Sequence, residues 1–138
     1  MSNRRVFGCL LVLLSVFLLV SAAQPLSARP AEGIGGIDVT ASPHAFRGAC
    51  PAHLKFTARI EVDRYPMTLN YQWERSDGVK GPTRVVHVPN VHTKTVTVVD
   101  SWQVGRKGDH LDLWEKVRVR SGNTDMTSRE AAVTVDCR

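Results

Sequence analysis

The sequence lacks the patterns that mark most enzymes. It has no Gly-x-Ser-x-Gly motif to present a nucleophilic serine. The glycines at 33–36 precede a strand pattern, whereas a phosphate-binding loop would open a helix. No amphipathic helix of useful length is found, because apolar residues recur every second position from residue 37 onward. We therefore expect an all-β protein that is not an enzyme and needs no cofactor.

Long apolar runs are also scarce, and the one that exists is at the N-terminus. Arg4 and Arg5 precede an apolar stretch at 6–20, and small residues follow at 21–23. This order predicts a secretory signal peptide over residues 1–23. The alternative is an uncleaved anchor, although about 18 apolar residues are short for a span that needs about 20. Residues 24–36, with several prolines and glycines, are predicted to be a flexible leader.

Cysteine is rare as well, with three in 138 residues. Cys9 falls inside the apolar N-terminal run, which leaves Cys50 and Cys137 in the exported part. An exported chain meets an environment that permits disulfides, so we expect these two cysteines to be bonded. The closed loop of about 87 residues would stabilise the fold by about 4–5 kcal/mol on the chain-entropy model.

Charge of one sign is not concentrated. The net charge of +5 falls to +3 without residues 1–23, which hold two arginines and no acids. A charge this small argues against a nucleic-acid partner. The tightest basic group, at 116, 118 and 120, is interpreted as the solvated face of a strand, with an anionic-surface patch as the alternative.

Seven candidate strands follow one another between turns rich in Gly, Pro, Asn and Asp, which favours a two-sheet sandwich over residues 37–138. The predicted strands are 37–41, 53–63, 69–75, 83–88, 94–104, 111–120 and 130–137. Asp100 and Glu115 fall on apolar faces of their strands, where a charge is costly. A β-bulge is expected at Asp100, and either a β-bulge or a side chain packed under a loop is expected at Glu115. If neighbouring strands are antiparallel, this count places Cys50 and Cys137 at the same end of the sandwich.

One string is more specific than the strand pattern. Residues 71–78 read Tyr-x-Trp-x-Arg-Ser-Asp-Gly and, with Cys50-Pro51, Trp102 and Trp114, resemble bacterial immunoglobulin-like domains. Such domains are related to fibronectin type III and polycystic-kidney-disease-type sandwiches and occur in secreted and surface-attached proteins. The resemblance implies an immunoglobulin-like sandwich that acts as a spacer or binding module, with no shared catalytic residues. The chain departs from antibody domains because its cysteines lie at strand edges and Val135 replaces a tyrosine.

The histidines offer an alternative function. His87 and His92 flank a Pro-Asn turn, and His110 lies between two aspartates. A copper or zinc site needs three or four converging ligands, and this spacing matches no known ligand pattern. The main interpretation is ordinary polar loop residues, and the alternative is a periplasmic metal or small-ligand carrier.

A binding surface is expected at the turns and at one tryptophan. Trp73 and Trp102 are in phase with core residues, whereas Trp114 is out of phase and could anchor a sugar or a protein. The two turns at 77–82 and 106–110 are further candidates, because loops at sandwich ends usually carry binding residues. The candidate residues are Trp114, Asp77, Lys80, Arg106 and Lys107.

Together these features predict a secreted or periplasmic binding module. The expected partner is an extracellular or envelope protein or a glycan. Contact with a membrane is expected only through residues 1–23, if these stay attached.

Overall fold

A computed structural model describes residues 33–90 and 92–138, and within them the chain is entirely β. No helix in this part of the chain is long and apolar enough to cross a membrane. The strands are β1 Ile34–Ser42, β2 Ala45–Gly48, β3 Ala52–Val62, β4 Met67–Arg75, β5 Arg84–Val88, β6 Thr95–Val104, β7 His110–Ser121, β8 Thr124–Thr127 and β9 Ala131–Cys137.

The strands form two sheets, which confirms the predicted sandwich. One sheet has the order β1-β3-β6, and the other has the order β2-β9-β7-β4-β5 with β8 paired to β7. The two sheets pack together because each has an apolar face. Along β3, buried residues alternate with more exposed ones, so its apolar positions all face the second sheet. The core includes Leu54, Phe56, Ile60, Leu69, Trp73, Val117, Val119 and Val135.

Two short strands are additional to the seven predicted. β2 has four residues and pairs with β9 in parallel, and β8 has four residues and pairs with β7. β8 and β9 lie one after the other along the same edge of β7. Between them, Ser128 N donates to Val117 O (2.9 Å) and continues the ladder. They act as one interrupted strand, so the expected position of Cys137 is unchanged.

The first strand begins at Ile34, three residues before its predicted start. The last residues of the predicted leader, 34–36, are therefore part of the sheet, where Gly36 pairs with Glu61. The predicted signal peptide, 1–23, and the rest of the leader, 24–32, lie outside the described residues.

Cys50 and Cys137 form the predicted disulfide, with a Cα–Cα distance of 5.3 Å. The bond lies where β3 and β7 begin and β6 and β9 end. We call this part of the molecule the disulfide end; it also includes the β4–β5 and β6–β7 turns.

The β-bulges predicted at Asp100 and Glu115 are wrong, because both carboxylates pair with the same arginine. β6 pairs with β3 in unbroken register through Asp100, and β7 pairs with β4 and β9 in unbroken register through Glu115. Arg75 donates from Nε to Glu115 Oε1 (3.0 Å) and from Nη2 to Asp100 Oδ2 (3.0 Å). Paired charges can stay on inward positions, so no backbone irregularity is needed.

Candidate functional site

The outward face of the larger sheet carries Trp114, the tryptophan that is out of phase with the core residues. Glu115, Val117 and Val119 of β7 are buried, so the alternate residues Trp114 and Lys116 point away from the core. Trp114 is half-buried, whereas Trp73 lies in the core, as predicted. Trp102 points inward and is also half-buried, with the Arg75 guanidinium 5.0 Å from its ring centre.

Lys116 covers part of the Trp114 ring. Its Nζ lies 4.8 Å from the ring centre, within the range of a cation–π interaction. The same ammonium is 3.7 Å from Glu130 Oε1. Ala132, directly across from Trp114 on β9, is exposed and small. The indole is therefore bordered by the methyl group of Ala132 and by the ammonium of Lys116.

The β4–β5 turn is fastened to Trp114 through the backbone. Ser76 N donates to Trp114 O (2.9 Å), and Trp114 N donates to Ser76 Oγ (3.2 Å). Asp77 follows and accepts a hydrogen bond from Val79 N (2.9 Å), which closes an Asx-turn. Asp77 is exposed and is held beside the tryptophan by these bonds.

Lys80 belongs to the same surface. Its Nζ is 3.6 Å from Glu74 Oε1, and the backbones of Glu74 and Lys80 form an isolated bridge. Glu74 lies directly across from Lys116 in the β4–β7 ladder. Three of the five predicted residues, Trp114, Asp77 and Lys80, therefore come together, and we call them with Glu74, Ser76 and Lys116 the Trp114 surface.

Arg106 and Lys107 lie on a different turn of the disulfide end, the one between β6 and β7. Arg106 N donates to Asp109 Oδ2 (2.8 Å), and Cys137 N donates to Asp109 O (2.9 Å). Both basic side chains are exposed. They form a second, separate candidate position on a turn that the C-terminal strand holds in place.

The Trp114 surface is nearly neutral in spite of its basic residues. Lys80 and Lys116 pair with Glu74 and Glu130, as described above. Farther along β7, Arg118 Nε donates to Asp125 Oδ1 (2.8 Å). This hydrogen bond lowers the pKa of the Asp125 carboxyl and raises the pKa of Arg118. This face therefore offers an aromatic ring and charged groups that are already paired with one another. Paired charges attract an anionic surface only weakly.

The three candidate histidines are not brought together. His87 lies on β5, where Nδ1 is 3.1 Å from Thr68 Oγ1. His92 follows β5, and its backbone N donates to Asn90 Oδ1 (3.0 Å). His110 begins β7 with Nδ1 3.5 Å from Asp136 Oδ1. Among residues 33–90 and 92–138, no group of three His, Cys, Asp or Glu could hold a metal ion.

Glu115 is the most perturbed acid of the described chain, and it lies behind Arg75. Its side chain has no exposed area, and Oε2 has no hydrogen-bond partner among the described residues. Burial, with a smaller contribution from Asp100, raises its pKa from 4.5 to about 7. A carboxyl without exposed surface cannot reach a substrate, so we assign it to the core and not to the Trp114 surface.

Sequence reasoning missed Glu74, Ser76 and Lys116 as parts of the site. The Ser-Asp-Gly turn and the alternation of β7 were visible, but the pairing of β4 with β7 that joins them was not. An open depression in the molecular surface lies on the other sheet and is lined by Gly36, Ile37, Asp38, Arg59, Glu61 and Thr95. None of these lining residues belongs to the Trp114 surface.

Comparison with protein-family models gives no match, and comparison with curated proteins gives no significant match either.

Proposed function

We propose that this protein is a non-enzymatic, exported immunoglobulin-like domain, bacterial in type, that works outside the cytoplasm as a small binding module. The Trp114 surface is its binding site, and the partner is a glycan chain or a protein of the extracellular space or envelope. The observation that carries the proposal is the half-buried Trp114 with Lys116 over its ring, fastened to the Ser76–Asp77 turn.

The strand order supports the immunoglobulin-like assignment. Taken as A, B and E, the strands β1, β3 and β6 make one sheet, and β9, β7, β4 and β5 follow the G-F-C-C′ order of variable-type domains. Trp73 is buried on β4, the position of strand C, where immunoglobulin domains carry a core tryptophan. The disulfide differs, since it joins the end of β9 to the β2–β3 turn.

The shape of the Trp114 surface supports an extended partner. A flat aromatic ring with neighbouring carboxylate, ammonium and hydroxyl groups suits the apolar face and the hydroxyls of a sugar ring, or a protein side chain. A small ligand would need a concave pocket that buries most of its surface. The depression described above, which lies on the other sheet, shares no residue with the Trp114 surface.

Binding to isolated cell-envelope material, separated into glycan and protein fractions, tests the site. Trp114→Ala should weaken binding of the full chain by about tenfold or more, or about 1.4 kcal/mol. Val85→Ala, an exposed valine on β5 of the same sheet, is the matched control and should bind as the wild type does. Equal binding by both variants would show that the Trp114 surface is not the site.

Two further measurements test the proposed export and the alternative function as a metal carrier. Intact mass of the exported protein should show a chain that starts at Gln24 and has no free thiol. Metal analysis of the same material distinguishes the carrier: stoichiometric copper or zinc, lost on replacing His87, His92 or His110 by alanine, would favour it over the binding module.

A further inference from the structure

The strand β6 ends the three-stranded sheet and leaves one long edge unpaired in the described part of the chain. It has ten residues and pairs with β3 along its whole length, with no strand on its other side. An unpaired edge presents a row of N–H and C=O groups on which another strand can form. Val99 on this strand is 39% exposed, which is high for an apolar residue.

The other edges of the described sheets, those of β1, β2, β5 and the four-residue β8, carry features that discourage such pairing. β1 has a register irregularity between Ile34 and Gly36. β5 has five residues and is followed by Pro89, and β2 has four residues, one of them Arg47. Irregularities, short strands, proline and basic residues are the usual protection of sheet edges.

β6 has none of these protections. Its sequence contains no proline, glycine, lysine or arginine, and its outward residues are all uncharged: Thr95, Thr97, Val99, Ser101 and Gln103. The one charge, Asp100, points inward and is paired with Arg75 at 3.0 Å. The edge is therefore neutral, regular and rich in residues that favour strands.

We propose that β6 pairs with β6 of a second copy of this chain. The two strands run antiparallel around a two-fold axis, and the two three-stranded sheets become one sheet of six strands. This contact lies on the smaller sheet, so it is independent of the Trp114 surface and leaves that surface free on each copy.

Two registers overlap the ten-residue strands most fully, with the centre at Val99 or at Asp100, and the side-chain pattern selects the first. Outward residues must face outward residues across the axis, which restricts its centre to a residue position. A centre at Asp100 would place two aspartates opposite one another. A centre at Val99 instead pairs Val99 with its copy, Thr97 with Ser101, and Thr95 with Gln103. It also sets Trp102 across from Val96 on the inward side, an aromatic and β-branched pair that stabilises sheets.

A second copy fits this edge because the strand is complementary to itself. With the centre at Val99, no pair across the axis joins two charges of the same sign. The exposed Val99 side chains of the two copies then pack against each other. Arg75 Nη2 already donates to Ser101 O at 3.4 Å. A carbonyl oxygen has two lone pairs, so it can accept an N–H from the partner strand in addition.

Cysteine cross-linking tests both the contact and its register. The full chain, with Cys9→Ser as background, receives Val99→Cys and is oxidised mildly. Opposed residues of antiparallel strands have Cα atoms about 4.5–5.5 Å apart, within the range of a disulfide. We expect the dimer, of twice the 15.3 kDa chain mass, as the main product on a non-reducing gel.

Two variants control for random oxidation. Thr57→Cys changes the β3 residue directly across from Val99, and in the dimer the two copies would be about 14 Å apart, too far to bond. Val85→Cys places a cysteine at the 53% exposed valine of the β5 edge. Both variants should form no intermolecular disulfide and should run at the mass of one chain on the non-reducing gel. Cross-linking of Val99→Cys at only the level of these controls would overturn the proposal.

Sedimentation of the unmodified chain gives a second test without cysteines. The wild type should sediment as a dimer and Val99→Lys as a folded monomer, because two lysines would then meet on the axis. Circular dichroism of Val99→Lys shows whether the β-structure is retained, and Thr57→Lys serves as the surface control. A wild type that sediments as a monomer, whether or not another protein's strand occupies the edge, would overturn the proposal.

Discussion

Glu115 shows how one residue can decide the local structure and the pH response of the domain. It is buried, accepts one hydrogen bond from Arg75, and faces Asp100 on β6 and Asp77 on the β4–β5 turn, which disfavour its ionised form. Its pKa rises from 4.5 to about 7, so the folded protein binds this proton more tightly than the unfolded chain does. The free energy of unfolding that this bound proton contributes is fully present below pH 4.5 and is lost as the pH rises through about 7.

Glu115→Gln should remove this pH dependence. The wild-type free energy of unfolding should fall between pH 5 and pH 8 by about 1–3 kcal/mol more than that of Glu115→Gln. Denaturant unfolding at several pH values measures the difference. Glu130→Gln, which changes an exposed carboxyl, should follow the wild type. Parallel curves for the wild type and Glu115→Gln would contradict the assigned pKa.

Gly105 is a second residue whose role the structure defines. It has a φ of +89°, and a Cβ there would lie 2.5 Å from Cys137 Sγ and 3.0 Å from Cys50 Sγ. Gly108, on the same turn, has a φ of +90° with nothing within 4 Å of a Cβ. The two glycines therefore separate backbone strain from collision with the disulfide.

Gly105→Ala should be more destabilising than Gly108→Ala. Gly108→Ala should cost about 1–2 kcal/mol for a positive φ alone, and Gly105→Ala about 2–4 kcal/mol, since the disulfide must also shift. Thermal or denaturant unfolding of both variants measures the difference. Equal losses would mean that the disulfide is not packed on Gly105.

At the scale of elements, Ser128 joins β8 to β9 along one edge of β7. Its Oγ accepts from Val117 N (3.0 Å) and donates to Arg129 O (2.8 Å), so a side chain completes a ladder that the backbone interrupts. Ser128→Ala would leave Val117 N buried without this acceptor. We expect a loss of about 1–3 kcal/mol in the free energy of unfolding, measured in denaturant, and almost none for the exposed Ser101→Ala. An unchanged Ser128→Ala would show that the hydroxyl is not needed.

The sequence predicts most elements because alternation of polar and apolar residues is a local property. β3 could be predicted in this way, since six buried side chains follow one another at every second position. β2 and β8 could not, because four residues are too few to show a period. The predicted bulges failed for another reason: the arginine that neutralises Asp100 and Glu115 lies 25 and 40 positions away in the chain.

The candidate surface could be predicted only in part for the same reason. Trp114, Asp77 and Lys80 were chosen by exposure and turn chemistry, which are local. Their association depends on hydrogen bonds of the Ser76 backbone and hydroxyl to Trp114, 38 positions on. Arg106 and Lys107 were chosen by the same local criteria and lie on a different turn.

At the scale of the whole molecule, the disulfide and Arg75 connect parts that the ladders leave separate. Arg75 on the larger sheet bonds Asp100 on the smaller one, and the disulfide ties the end of β9 to the turn before β3. The bond spans 87 positions, so its removal enlarges the freedom of the unfolded chain considerably.

Replacing both Cys50 and Cys137 by alanine should lower the free energy of unfolding by about 3–5 kcal/mol. Chemical reduction of the wild type should reproduce most of this loss in the same denaturant experiment. The double variant treated with reductant serves as the control and should not change further. A wild type that is equally stable with and without reductant would contradict the contribution assigned to the disulfide.

We propose that the domain binds its partner through the Trp114 surface. Hydrogen exchange of the full chain, with and without isolated envelope material, tests it most directly because each surface has its own backbone segments. We expect slower exchange at residues 74–80 and 114–116 when the partner is present, and no such change in Trp114→Ala. Slower exchange confined to the 105–109 turn, or none at all, would contradict it.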